Sequence, residues 1–328
     1  MNLRKLGNTD IEVSPIAFGA FAIGGTMWAG NEGKDSINAI HAAIDNGIST
    51  LDTAPFYGLG RSEELIGKAI ADKRREDIQI LNKFGLVWDG SNNGKGDYFF
   101  DTEDNGKNYS IYKFASKENV VKEVEESLKR LGTDYIDLLQ LHWPDSTTPI
   151  SETMEAMERL LEQGKIRAAG VCNYSVDQLK EAGETLKLSS NQVSYSMLQR
   201  GIEADLVPFA QSNDLSMIAY SPMERGLLTG KYFKDGKLEE ADHRNGYFKQ
   251  FDLERIEKVL NELLVIADSY NASLAQLVLN WTMNQPGITV TLAGARNDKQ
   301  VASNAAAMNL SISDADMASI NQHLESLK

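Results

Sequence analysis

The chain has 328 residues, 42% of them apolar and 24% charged, which suits a globular α/β protein with a sizeable core. Its formal charge of −14 argues against nucleic acid or an anionic membrane surface as a partner. A single cysteine, Cys172, excludes an internal disulfide and suits a reducing, cytoplasmic compartment; no apolar run approaches membrane-spanning length.

Residues 3–16 alternate loosely around Gly7-Asn8-Thr9-Asp10, which predicts a β-hairpin ahead of the main pattern. Residues 16–20 read as the first buried strand. Residues 35–46 read as a helix, with Ile37, Ile40 and Ile44 at helical spacing and Gly47 as its stop. Strand 50–53 is followed by helix 62–72, and strand 78–83 by helix 118–131, which ends at Gly132. Strand 135–141 precedes helix 151–163. Strand 166–171 leads into a helix opened by a capping box, Ser175 with Gln178. Strand 191–195, helix 204–212 and strand 217–220 follow. Ser273 with Gln276 opens a helix through Leu277, Val278 and Trp281. The last strand is 289–293, with a helix from Asn297. Met317, Ile320, Leu324 and Leu327 mark a final amphipathic helix.

Eight strand-then-helix units imply parallel strands joined by right-handed crossovers. The count fits one domain over residues 1–328: a closed (β/α)8 TIM barrel, with the N-terminal β-hairpin plugging its amino-terminal mouth and a C-terminal extra helix. In such barrels the chemistry sits at the carboxyl ends of the strands. Two long connections, residues 85–117 and 225–251, should overhang that mouth, and the first is rich in Gly, Asn and aromatics.

Three successive strands end on polar groups that sit badly in a core. The stretch Leu51-Asp52-Thr53-Ala54-Pro55-Phe56-Tyr57-Gly58 ends a strand on a carboxylate and then presents a tyrosine on a loop. Strand 78–83 ends on Lys83, and strand 135–141 runs into His142-Trp143-Pro144. A buried aspartate needs a cation or several donors, and Lys83 is the available cation. A tyrosine beside that lysine has its pKa lowered and can give a proton to an oxygen gaining negative charge, while His142 orients the same oxygen. Carbonyl reduction needs these groups. A structural Asp–Lys pair and a satisfied core histidine would leave the same traces, so the residues alone leave both readings open.

The chain resembles the aldo-keto reductases from end to end. The resemblance is carried by Leu51-Asp52-Thr53-Ala54 with Tyr57-Gly58, by Lys83-Phe84-Gly85, and by residues 127–138. It continues through Gly164-Lys165-Ile166-Arg167, Gly170-Val171 with Asn173-Tyr174-Ser175, and Gly294-Ala295-Arg296-Asn297. It implies a (β/α)8 barrel, an NADPH-dependent conversion of aldehyde or ketone to alcohol, and a catalytic tetrad of Asp52, Tyr57, Lys83 and His142. Tyr57 would be the general acid, tuned by Lys83, with Asp52 holding that lysine.

The same resemblance assigns the cofactor's carboxamide to Asn173 and Gln192, and a stacking ring to Tyr220. Cys172 stands where a serine is more usual. The segment with Ser221, Pro222, Arg225, Gly226, Leu228 and Lys231 would strap the pyrophosphate, and Gly24 would also face the cofactor. Gly294, Arg296, Gln300 and Asn304 would take the adenosine and its 2′-phosphate. Trp28, Trp88 and Trp143 fall on mouth loops and are expected to line the substrate pocket.

Two other functions stay open to a barrel of this kind. A metal-dependent barrel hydrolase is opposed by the lack of a histidine or carboxylate cluster at the strand ends. His41, His243 and His323 have no metal-ligand spacing, and no metal is expected. A non-catalytic cofactor-sensing subunit, as in the channel-associated branch of the family, is compatible with an intact tetrad. Glu123, Glu125 and Glu126 read as a solvated helix face. Oligomeric state is not legible.

Overall fold

The computed structural model describes residues 3–25, 33–235, 238, 242 and 244–327. Among the described residues thirteen strands run in order: β1 (Arg4–Lys5), β2 (Glu12–Val13), β3 (Ile16–Gly19), β4 (Thr50–Asp52), β5 (Gln79–Phe84), β6 (Leu86–Val87), β7 (Asp97–Asp104), β8 (Lys107–Lys113), β9 (Ile136–Leu141), β10 (Ile166–Cys172), β11 (Ser190–Ser194), β12 (Ser216–Tyr220) and β13 (Ile288–Gly294). Eight of them, β3, β4, β5, β9, β10, β11, β12 and β13, pair in parallel and close into a barrel in chain order. The helices expected between them are present, with both capping boxes formed at Ser175 and Ser273.

Strand register sorts side chains with a period of two. In β5, Ile80 and Phe84 join the core under the surrounding helices, and Leu81 joins the inner core. A one-residue slip would exchange these faces, so burial on both sides pins the register and with it the position of Lys83.

β1 and β2 form the expected hairpin. Its Leu6, Ile11 and Val13 pack with Ala17, Leu81, Leu138, Ala168, Ile218, Val290 and Leu292 and plug the barrel. Full burial of such a side chain is worth roughly 1.5–3 kcal/mol, so the plug is part of the core. The extra helix at the far end, Asp314–Glu325, packs on helix Leu253–Ser269. Arg255 donates to the Ser326 carbonyl there, and His323 Nδ1 lies 2.7 Å from Glu262.

Three features depart from expectation. The connection over residues 85–117 is an ordered three-stranded antiparallel sheet in the order β6-β8-β7. Helix Leu253–Ser269, capped by Asp252, adds a long helix between β12 and β13, ahead of the one opened by Ser273. Glu123 is buried, not solvated: both its oxygens accept from the Gly85 amide at 3.1 Å, and burial raises its pKa to about 8.

Candidate active site

The carboxyl end of β4 carries Asp52, and its neighbour β5 carries Lys83 in the interior. Each residue is about 1% exposed. Lys83 Nζ donates to Asp52 Oδ1 at 2.6 Å and to the Thr53 carbonyl at 3.0 Å. Gln192 Nε2, from β11, donates to Asp52 Oδ2 at 2.9 Å. Both carboxylate oxygens are therefore engaged. Burial penalises both charges; for Lys83 the attraction of Asp52 prevails and holds the ammonium protonated. Two of its three N–H donors are spent on these partners.

The lysine lies 5.0 Å from the centre of the Tyr57 ring. Tyr57 sits in a turn after β4, with its amide bonded to the Ala54 carbonyl at 3.1 Å. This turn presses on Gly24. A Cβ on Gly24 would lie 2.7 Å from the Tyr57 carbonyl carbon, and one on Gly58, whose φ is +66°, would lie 2.0 Å from the Gly24 oxygen. Two glycines are thus needed for the backbones to meet. Gly24, expected at the cofactor, is placed as the support of the tyrosine turn.

Tyr57 makes edge-on ring contacts with Phe21 at 5.0 Å and with His142 at 5.7 Å. Its pKa is raised to about 12, first by burial, with Lys83 acting in the opposite direction. Contrary to the expectation from sequence, burial outweighs the neighbouring lysine and keeps the hydroxyl protonated. His142 follows β9. Burial and the nearby Lys83 ammonium hold its pKa well below the ordinary value, so the imidazole is neutral and has one N–H to donate.

Beyond Tyr57 stands an aromatic wall. Phe56, Leu86 and Ile111 are buried in it, and Trp88, Phe99, Phe100 and Trp143 pack against them. Phe99 meets Trp143 at 5.2 Å, while Phe56 meets Trp88 at 6.3 Å and Phe100 at 5.7 Å. Two expected pocket residues, Trp88 and Trp143, thus share one wall with Tyr57. Trp28 lies outside the described residues, as does His243. Phe99 and Phe100, which the sequence places in the aromatic-rich connection over the mouth but not in the pocket, come from β7. The signal that could have found them is Asn105-Gly106 between two aromatic-rich runs, a two-residue hairpin turn with φ of +50° and +76°.

Opposite this wall, Tyr220 OH donates to Asn173 Oδ1 at 3.0 Å, and Asn173 Nδ2 donates to the His142 carbonyl at 3.4 Å. Cys172 is buried, and desolvation pushes its thiol pKa up. After β12, residues 221–231 curl through left-handed backbone at Ser221, Arg225 and Gly226. Arg225 and Lys231 are exposed, Pro222 is buried, and the side chain of Leu228 lies in the main core. Gly294, at the end of β13, and Arg296 beyond it are exposed. Gln300 Oε1 accepts from the Arg296 amide at 2.9 Å, and Asn304 Nδ2 donates to the Gly294 carbonyl at 3.2 Å. Among the described residues no group of three His, Cys, Asp or Glu could hold a metal ion, and no helix is long and apolar enough to cross a membrane.

Fold and site together define the class: a parallel (β/α)8 barrel whose mouth joins a protonated tyrosine to a buried lysine–aspartate pair. A profile of the Aldo/keto reductase family matches residues 15–325. The chain is 38% identical over 330 residues to the aldo-keto reductase YhdN of Bacillus subtilis (strain 168), covering 99% of this chain and 94% of that one. It is 35% identical over 328 residues to the NADH-specific methylglyoxal reductase of Escherichia coli (strain K12), covering 98% of each. The glycerol dehydrogenase AKR11B4 structure from Gluconobacter oxydans superposes with a TM-score of 0.87 at 32% identity, covering 99% of this chain and 95% of that chain. The chain belongs to the aldo/keto reductase family, oxidoreductases that reduce small-molecule carbonyls with nicotinamide cofactors.

Proposed function

We propose that the protein reduces an aldehyde or ketone to the alcohol with NADPH, Tyr57 serving as the proton donor. The observation that carries this reading is the protonated Tyr57 standing 5.0 Å from a buried Lys83 ammonium, with neutral His142 edge-on beside it. As the carbonyl oxygen gains negative charge, the Tyr57 hydroxyl gives it a proton, and the remaining Lys83 donor and its charge stabilise the phenolate left behind. The His142 N–H holds the same oxygen in line. Asp52 keeps Lys83 charged and aimed, and Gln192 keeps Asp52 in place.

The donor set fits a nicotinamide dinucleotide. Asn173 and the Oε1 of Gln192 suit a carboxamide, and the Tyr220 ring a nicotinamide face. Ser221, Pro222, Arg225, Gly226, Leu228 and Lys231 form the phosphate strap, with Leu228 contributing through its backbone. Gly294, Arg296, Gln300 and Asn304 receive the adenosine end. Bound there, the dinucleotide supplies the hydride. The choice of NADPH rests on Arg296, whose guanidinium can meet a 2′-phosphate with two parallel hydrogen bonds beside a helix amino terminus. The Escherichia coli relative is named for NADH, so the two cofactors are compared side by side.

The wall of Trp88, Phe99 and Trp143 suits aromatic or alicyclic carbonyls. The single cysteine suits action in the cytoplasm, in one domain over residues 1–328. The test is a carbonyl panel assayed with NADPH and with NADH, alongside cofactor titration by fluorescence. Cofactor binding without turnover of any carbonyl would overturn the enzymatic reading in favour of a sensing subunit.

A further inference from the structure

The phosphate strap is folded around a carboxylate of the protein itself. Glu224 is fully buried in the strap, in a left-handed conformation with φ of +47°, followed by Arg225 at +55° and Gly226 at +96°. Two successive non-glycine residues in that region persist only where the surroundings hold them. The holding groups are plain: Ser196 Oγ donates to Glu224 Oε1, while Gln199 Nε2 at 3.3 Å and Tyr247 OH at 2.5 Å donate to Oε2. Tyr247 belongs to the short helix Arg244–Phe248 and is packed edge-on against Phe251 at 5.7 Å. Its hydroxyl is kept protonated by burial and by the Glu224 carboxylate it donates to.

The same ring carries a cation. Arg225 Cζ stands 3.9 Å from the centre of the Tyr247 ring, and the arginine is otherwise exposed at the mouth. An exposed arginine ordinarily samples many rotamers, and ordering it on binding costs conformational entropy. Here that ordering is done beforehand. A ring face attracts the guanidinium, a buried carboxylate fixes the ring, and the same carboxylate fixes the backbone turn from which the arginine springs.

We propose that Tyr247 and Glu224 are positioning residues for cofactor binding, holding the Arg225 guanidinium where it meets the diphosphate of a nicotinamide dinucleotide. The inference rests on the proposed function and adds to it two residues that touch neither substrate nor cofactor. NADPH and NADH share the diphosphate, so Tyr247 should affect both alike, in contrast to Arg296.

The test is fluorescence titration of the full chain with NADPH and with NADH, for the wild type, Tyr247→Leu, Tyr247→Phe, Arg225→Ala and the double variant Tyr247→Leu with Arg225→Ala. Tyr247→Leu should weaken both cofactors by the same factor, about twofold to thirtyfold for loss of a cation–π contact. Tyr247→Phe keeps the ring and should lose less. In the Arg225→Ala background, Tyr247→Leu should cost little more, because it acts through the arginine. The penalty should shrink at high salt, and the carbonyl KM at saturating cofactor should not move. If Tyr247→Leu does not fold, the cycle is run with Tyr247→Phe, and the same non-additivity is required. Unchanged affinity, or a penalty undiminished without Arg225, overturns the inference. Failure of the wild type to bind either dinucleotide overturns the proposed function, and this inference falls with it.

Discussion

At the floor of the mouth, Asp52 and Lys83 are almost wholly buried and bonded to each other, to Gln192 and to the Thr53 backbone. At the rim, Arg296 is exposed on a turn anchored by Gln300 and Asn304, and the aromatic wall stands on a sheet inserted between β5 and β9. The floor is set by strands whose register two cores enforce. The rim is set by segments that the barrel can close without. Chemistry common to many carbonyls belongs on the first, and selection among carbonyls and cofactors on the second. The two regions should therefore fail differently when altered.

The largest effect is expected at the floor. Tyr57→Phe should lower the reduction rate by roughly 100- to 10,000-fold, the usual worth of positioned proton transfer. Cofactor affinity by fluorescence quenching should stay nearly intact. Retention of more than about a tenth of the rate would place the acid elsewhere. The pH profile carries the same information. With a pKa raised to about 12, Tyr57 stays protonated through neutral and mildly alkaline pH, so reduction should not decline there on its account. Oxidation of the alcohol needs the deprotonated form and should climb as pH rises. A reduction profile falling with a midpoint near 7 would contradict the assignment.

Lys83→Met leaves the Asp52 carboxylate buried without its cation. Removing one partner of such a pair costs about 3–5 kcal/mol, to be read as a lowered denaturation midpoint. Adding Asp52→Asn should recover part of that loss. A variant as stable as the wild type would mean that water reaches this pair, and the contrast between a dry floor and a wet rim would collapse.

Arg296→Ala tests the rim. NADPH binding should weaken by about 1.5–3 kcal/mol, the range for a hydrogen bond to a charged group, while NADH binding changes little. Equal losses for both cofactors would show that the residue supports its turn and reads no phosphate.

The smallest effect on the barrel itself should come from replacing residues 88–114 with a short Gly-Ser link. Relative rates across a carbonyl panel should shift, with aromatic substrates losing most, because Phe99 and Phe100 leave and Trp143 loses its neighbour. The melting temperature should fall less than in Lys83→Met, since the residues of that cluster left uncovered are Phe56 and Leu86. A large loss of stability with unchanged relative rates would make the insert a structural brace.

The barrel was legible in the sequence because its signals are local and repeated. Apolar strand runs, helical spacing and caps at Ser175 and Ser273 recur often enough to count eight units. Asp52, Lys83 and His142 stood out because each interrupts or ends an apolar run, which is itself a local event. The insert was harder. Its strands are amphipathic and half-exposed, so they lack a core strand's continuous apolar run, and the Asn105-Gly106 turn was the one strong marker. Helix Leu253–Ser269 has its own local signal, with Ile256, Val259, Leu260 and Leu263 at helical spacing behind an Asp252 cap, but it lies outside the strand-then-helix count.

The order of the units and the residue types that arrive at the strand ends follow from periodicity along the chain. Balance and partnership come from packing. Whether Lys83 or burial governs the Tyr57 proton depends on how much water the surrounding residues remove, and no spacing along the chain reports that. Glu123 looked solvated because its neighbours in sequence are charged, yet its neighbour in space is the Gly85 amide. Gln192 reaches Asp52 across 140 positions of chain. Tyr247 and Arg225 meet over a ring face that exists only once the strap has folded around Glu224. Desolvation and long-range contact are properties of the packed molecule, and they set the proton's place and the cation's aim.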